Sequence, residues 1–328
     1  MSKTKDMSKR SVNRRAFGQL CVKVVSTLGV LGGAATTPSR ALALDAPASA
    51  DSANKGRTVK FRDGVVAAAL GQGSAQLAQA RHPQAQEEEA LRTGLSLGMT
   101  LIDTAETYGD GKSEKLIAGV IAGQRDRVFL VSKVQPGHAT DGGMAHSCEA
   151  SLTRLGTDHL DLYLLHWPVP AGKLPEVVTA FENLRSAGKI RAWGVSNFTV
   201  DDMESLYSTP RGEHCATNQV PYNLGDRGAE RDVLPWCQKH GMPIMAYSPL
   251  GGPGAKILRN STLARIGAAH NCSAAAVALA WALRSGSVIA IPESGSAAHV
   301  KENAVALSLT LTPEDLQSLD TTFPMARR

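Results

Sequence analysis

Beyond residue 66 the chain never again sets two strand-like runs on either side of a tight turn. It alternates short apolar runs with longer amphipathic stretches, and this regularity constrains the fold more than any other feature. The apolar runs fall at 70–71, 100–103, 128–133, 160–166, 190–195, 216–220, 243–247 and 288–291. Helix-like stretches lie between them at 84–97, 113–122, 144–155, 174–187, 200–207, 228–239 and 273–283, and a last one carries residues 302 and 303. Parallel strands need such crossovers, so this strand–helix alternation predicts an α/β chain closed into a single (β/α)8 TIM barrel. A doubly wound sheet would want a GxGxxG turn after its first strand. Here that turn reads Gly71-Gln72-Gly73-Ser74 and stops short of the pattern. Ahead of the alternation, Arg62-Asp63-Gly64 between two apolar runs predicts a short N-terminal β-hairpin over 59–66.

The first 43 residues read as an address. A polar, basic start leads to Asn13-Arg14-Arg15-Ala16-Phe17, a twin-arginine export signature. The apolar run 24–35 is too short to span a bilayer as a stable helix, and Ala41-Leu42-Ala43 after Arg40 offers a small-x-small cleavage site. The expected organisation is a signal peptide over 1–43, a flexible linker over 44–57 and one domain over 58–328. The twin-arginine machinery is then a partner, and the mature protein is expected in the periplasm as a monomer without stable membrane insertion. The whole chain holds 35 Lys and Arg against 30 Asp and Glu. Residues 1–43 contain eight of those bases and one acid, which leaves 27 against 29, a net charge of −2. The basic balance belongs to the address, and nucleic-acid binding loses its support.

The chemistry gathers around 101–114, LIDTAETYGDGKSE. Asp103 closes a short apolar strand, Tyr108 follows in a glycine-marked loop, and Ser113 with Glu114 reads as the cap and first turn of the next helix. An Asp at a strand end is by itself equally consistent with helix capping. Two later strands add weight: one ends on Lys133, the next on His166. Barrel enzymes collect their reactive groups at that end of the strands.

The motifs IDTAETYG, VFLVSK, DLYLLHWP, GVSNF, NQVPYN, AYSPLG and IAIPESGSAAHVKEN occur in that order. On them the chain resembles the aldo-keto reductase family over 59–324. The resemblance implies reduction of an aldehyde or ketone by hydride transfer from NADPH or NADH. It makes Tyr108 the general acid, with Lys133 lowering the phenol's pKa, Asp103 fixing Lys133, and His166 orienting the carbonyl. It assigns Ser196, Asn197 and Gln219 to the nicotinamide carboxamide and Tyr247 to the stacking face. Ser248, Leu250 and Gly251 would line the pyrophosphate, and Glu302 and Asn303 would hold the adenine end. Gly73, Ser74, Asp103 and Ser294 complete the expected cofactor contacts. No His/Cys/Asp cluster asks for a metal.

Departures from the family pattern also matter. Where NADPH-preferring relatives carry Lys and Arg for the 2′-phosphate, this chain has Glu293 and His299. That weakens the expectation of NADPH over NADH. Ala75 follows Gly73-Ser74 where a bulky aromatic is common, and the segment between Pro168 and Leu174 is short. With few residues beyond Pro324, an open substrate mouth is expected, suited to small aldehydes, dicarbonyls or varied carbonyls. Two other functions fit the same motifs: a cofactor-binding redox sensor with little turnover, and a dehydrogenase working mainly in alcohol oxidation. Cys148, Cys215, Cys237 and Cys272 lack metal or CxxC spacing and are expected as free thiols.

Overall fold

The computed structural model describes residues 56–140, 142–252 and 254–325. The expected export signal and all but the last two positions of the linker lie outside the described residues. The domain opens with β1 (Thr58–Lys60) and β2 (Val66–Ala68), an antiparallel hairpin with Val59 opposite Ala67. Gly64 takes φ +90°, a left-handed turn conformation that glycine adopts without a steric cost. Phe61 stacks on Phe129 at 5.6 Å, so the hairpin packs against the N-terminal end of a barrel strand.

Eight parallel strands follow: β3 (Gln72–Gly73), β4 (Leu101–Asp103), β5 (Phe129–Val134), β6 (Leu160–Leu165), β7 (Ile190–Ser196), β8 (Asn218–Pro221), β9 (Ile244–Tyr247) and β10 (Val288–Ala290). Each pairs with its sequence neighbour. The two edges of this curled sheet meet through bridges between Leu70 and Ala290 and between Gly73 and Glu293, giving a (β/α)8 barrel-like fold. Strands covered on both faces need continuous apolar runs rather than alternation, and β6 (LDLYLL) is buried throughout. Its one charge, Asp161, accepts from Leu130 N at 2.9 Å and from Arg125 and Arg191 at 2.8 and 2.7 Å. Fully paired in this way, the carboxylate avoids the cost of isolated burial.

The outer layer is α1 (Gln84–Ser96), α2 (Lys112–Ile121), α3 (Gly143–Leu155), α4 (Leu174–Ser186), α5 (Val200–Tyr207), α6 (Val233–Lys239), α7 (Ser261–Ala269), α8 (Ala274–Ala282), α9 (Ala297–Ala304) and α10 (Pro313–Thr322). Most bounds agree with the sequence reading to within a residue or two. The stretch 228–239 divides into a single 3-10 turn, Gly228–Glu230, and α6, because Asp232 leaves helical geometry to cap Val233 N. Ser113 and Glu114 do not cap α2. Gly111 holds the N-cap position in a left-handed conformation, and both residues are buried in the first turn. Ser113 turns its hydroxyl inward to Ser74 instead, at 2.8 Å.

Two helices went unread in the sequence, α7 and α10. They matter because α8, AAAVALAWA, is apolar all round and buried from Ala275 to Ala282, so it needs neighbours on its outer side. α7 packs beside α8, and α10 packs on α7, where Thr322 meets Thr262 at 3.0 Å.

The seam between β3 and β10 explains one glycine. A Cβ on Gly73 would lie 2.9 Å from Ile291 O while Gly73 N donates to Pro292 O at 2.9 Å. Gly73→Ala is therefore expected to destabilise the fold by about 1–3 kcal/mol through a backbone clash, read as a lower urea midpoint with unchanged slope. An unchanged midpoint would mean that the seam tolerates a wider gap.

Candidate active site

Asp103, Lys133 and His166 come from three adjacent strand ends, β4, β5 and just past β6. Tyr108 stands above them on a 3-10 turn, Tyr108–Gly111. Lys133 is wholly buried, and its ammonium donates to Asp103 Oδ1 at 2.5 Å, Thr104 O at 2.9 Å and Tyr108 Oη at 3.2 Å. An ammonium has three protons, and all three are placed. The Tyr108 ring meets the His166 ring edge-on, with centroids 5.6 Å apart. The structure thus brings all four residues together.

Electrostatics in this cluster differ from the sequence expectation in one respect. Burial raises the Tyr108 pKa; Lys133 pulls it down, Asp103 raises it again, and the net direction is upward. Lys133 does favour the phenolate, but desolvation outweighs it. Burial works against the charge on Lys133 itself, yet Asp103 and Tyr108 together hold its pKa above the ordinary value. Burial and the charge of Lys133 bring His166 down to about 4, so the imidazole is neutral at pH 7.

The loop bearing Tyr108 is tied to β5 by a device that no sequence signal announced. Glu106 Oε1 accepts from Gln135 N at 2.8 Å and meets His138 Nδ1 at 3.1 Å. Below it, Ser74, Ser113 and Thr104 form a buried hydroxyl cluster, with Ser74 donating to Asp103 O at 2.8 Å. Ser74 is fully buried there.

A second group of expected residues sits across the mouth. Asn197, with φ +64°, donates from Nδ2 to His166 O at 3.0 Å and to Ser196 Oγ at 3.1 Å, and its Oδ1 accepts from Tyr247 Oη at 3.0 Å. Gln219 O accepts from Asn197 N and Ser196 Oγ at 2.8 and 2.9 Å. Gln219 Nε2 reaches Asp103 Oδ2 at 2.8 Å, a contact across the barrel that strand order alone could not reveal. Further out, Ser248 (φ +48°) and Gly251 (φ +90°) shape an exposed turn, with Leu250 half-buried between them. Ser294 and Ser296 bond to one another in the turn before α9. On α9 Glu302 is exposed and Asn303 buried.

Glu293 has a structural task besides any encounter with phosphate. Its Oε2 accepts from Gln76 N at 2.8 Å, tying the loop after β3 to the end of β10. Burial raises the pKa of this carboxyl, partly offset by Gln76 N–H and Arg81. His299 is exposed. Cys148, Cys215 and Cys237 are buried free thiols whose pKa burial pushes up to about 12, and Cys272 is half-buried.

Residues 69–322 match the model of the Aldo/keto reductase family. The chain is 47% identical over 271 residues to the methylglyoxal reductase YeaE of Escherichia coli K12, covering 82% of this chain and 95% of that protein. It is 32% identical over 232 residues to the methylglyoxal reductase DkgB of Escherichia coli O157:H7, covering 70% and 85%. A crystal structure of an aldo/keto reductase from Klebsiella pneumoniae in complex with NADP and acetate superposes with a TM-score of 0.80 at 45% identity, covering 83% of this chain and 97% of that one. The chain belongs to the aldo/keto reductase family and is an oxidoreductase.

The buried ion pair yields a stability test. Lys133→Met alone strands the Asp103 carboxylate and is expected to cost about 3–5 kcal/mol. Removing both charges, Lys133→Met with Asp103→Leu, should cost clearly less in urea unfolding. A double variant as unstable as the summed singles would contradict the pairing.

Proposed function

We propose that the protein reduces small aldehydes and dicarbonyls to alcohols, using a reduced nicotinamide dinucleotide. The observation that carries this reading is the Lys133 ammonium, shielded from water and donating to the Tyr108 hydroxyl at 3.2 Å. Because that oxygen accepts from Lys133, the phenol's own proton is free to point into the mouth. The residues present fit the cofactor: Ser196, Asn197 and Gln219 offer amide and hydroxyl groups beside the Tyr247 ring, next to a turn at Ser248–Gly251 with little side-chain bulk. When bound, the reduced nicotinamide supplies the hydride that adds to the carbonyl carbon. Tyr108 gives its proton to the carbonyl oxygen, where negative charge develops. Neutral His166, held through its backbone by Val134 and Asn197, orients that oxygen by hydrogen bonding. Lys133, held in place by Asp103, then stabilises the phenolate left behind. Methylglyoxal reductases among the relatives support a small dicarbonyl as substrate, and cofactor-bound structures of the Klebsiella protein support NADP use.

Tyr108→Phe is expected to lower kcat for reduction by about 10²–10⁴-fold with little change in cofactor affinity. In the wild type the raised phenol pKa keeps the acid protonated through neutral pH, and His166 near 4 stays neutral above it. Reduction should therefore be flat from about pH 6 to 9 and fall only at strongly alkaline pH. Near-normal turnover in Tyr108→Phe, or a steep loss between these limits, would overturn the assignment.

Cofactor choice turns on Glu293. With a carboxylate where relatives place Lys, NADH and NADPH should bind the wild type within about tenfold of one another. Glu293→Lys should move the preference toward NADPH by about tenfold, alongside a stability loss of about 0.5–1.5 kcal/mol from the lost Gln76 bond. Fluorescence titrations with both cofactors decide; a wild type already strongly selective for NADPH would show that Glu293 does not govern the phosphate.

A further inference from the structure

The registered pairing of β4 with β5 ends at Asp103 opposite Val131, yet the ladder of hydrogen bonds continues past it. Thr104 N donates to Val131 O at 2.9 Å and Glu106 N to Lys133 O at 3.3 Å, the alternate-residue pattern of a parallel pair. The next rung of such a ladder would take Gln135 N to the carbonyl of Glu106. Gln135 N goes instead to the Glu106 carboxylate, where Oε1 accepts it at 2.8 Å. This N–H ends the run, because Pro136 has none to offer. The Glu106 side chain is only 9% exposed, so water competes poorly for the bond. His138 Nδ1 lies 3.1 Å from the same oxygen, which has lone pairs for both. By standing in for its own carbonyl, the carboxylate closes the ladder while the main chain turns away. Two residues later that turn delivers Tyr108, whose N donates to Ala105 O at 3.1 Å and whose hydroxyl accepts from Lys133 at 3.2 Å. The loop's own preferences do not hold it there. Asp110 has φ +55° between Gly109 at +57° and Gly111 at +79°, a region that residues with a Cβ seldom adopt.

We propose that Glu106 is the positioning residue that sets the Tyr108 hydroxyl against Lys133. The inference rests on the reading that Tyr108 is the general acid. Glu106 serves as an acceptor of the correct length and not as a charge: the Gln135 N–H needs an oxygen, and a side chain one methylene shorter does not bring one to it. With that oxygen gone, Gln135 N regains a protein partner by drawing the Glu106 carbonyl into the ladder. The turn that carries Tyr108 moves with it, away from Lys133. The hydroxyl then loses the ammonium that stabilises its phenolate, while Ser196, Asn197 and Gln219 at the ends of β7 and β8 stay as they are.

The test is steady-state reduction of methylglyoxal by NADPH, with NADPH affinity read separately by fluorescence titration. Glu106→Leu and Glu106→Asp should each lower kcat by about 10- to 100-fold, the scale of an ångström-sized misplacement, and keep NADPH affinity. Glu106→Gln, which retains Oε1 and discards the charge, should recover most of the rate. In a Tyr108→Phe background Glu106→Leu should cost little more, because the group it positions is already gone. Should Glu106→Leu not fold, the contrast between the Asp and Gln variants decides. Normal kcat in the Leu or Asp variant, a Gln variant as slow as either, lost NADPH affinity, or a full further loss in the Tyr108→Phe background overturns the inference. A slow Tyr108→Phe single variant leaves the acid assignment standing in each of those cases. Near-normal turnover in Tyr108→Phe, or none in the wild type, overturns the acid reading and this inference together.

Discussion

A lysine with no exposure to water is costly unless every proton on it has somewhere to go, and the functional end of this barrel is arranged around meeting that demand at Lys133. Asp103 takes one proton, the carbonyl of Thr104 another, and the hydroxyl of Tyr108 the third. Asp103 in turn needs a donor for its second oxygen, and Gln219 provides it from across the barrel. Each demand fixes the next residue, so β4, β5 and β8 are joined by a continuous chain of polar contacts. The same demands that make the site stable leave Tyr108 with a free proton and a charged neighbour.

The fold was legible because buried parallel strands write themselves as uninterrupted apolar runs, as in LDLYLL. The lost helix α10 was legible too: Thr312 and Asp315 form a capping box and Pro313 follows the cap, a start signal present in the letters TPED. α7 carries a similar cap, Asn260 accepting from Thr262 N, but no strand stands between it and α8, so it falls outside the strand–helix rhythm. At the site, motif order singled out Asp103, Tyr108, Lys133 and His166, which the fold brings together. It did not give the direction of the Tyr108 shift, since a sequence names neighbouring charges but not how completely water is excluded. Nor did it give the bond between Gln219 and Asp103, which depends on two strands facing one another across a closed sheet.

Glu293 illustrates a further limit. Judged by charge alone it is a substitution that repels phosphate. In the fold it also accepts the backbone N–H of Gln76, so it helps hold the loop after β3 against the end of β10. Glu87, from α1, does the same for Ala78 N at 2.7 Å. The loop after β3 includes Ala78 and Ala80 at φ near +60°, a conformation uncommon for residues with a Cβ. Two carboxylates from different elements thus hold a strained segment in place.

The seam between β3 and β10 has a consequence for the order in which the molecule can be made. Neighbouring barrel strands from β4 to β9 come from nearby parts of the chain and can pair as they emerge from the ribosome. The bond from Gln76 to Glu293 joins residues 217 positions apart. Synthesis proceeds from the N-terminus, so the loop after the first strand waits for its partner until nearly the whole domain has been translated. Ring closure is long-range and entropically demanding. The side of the site built on that loop is therefore completed only when the two ends of the sheet find each other, and a chain truncated before residue 293 can contain Asp103, Tyr108, Lys133 and His166 and still lack this support.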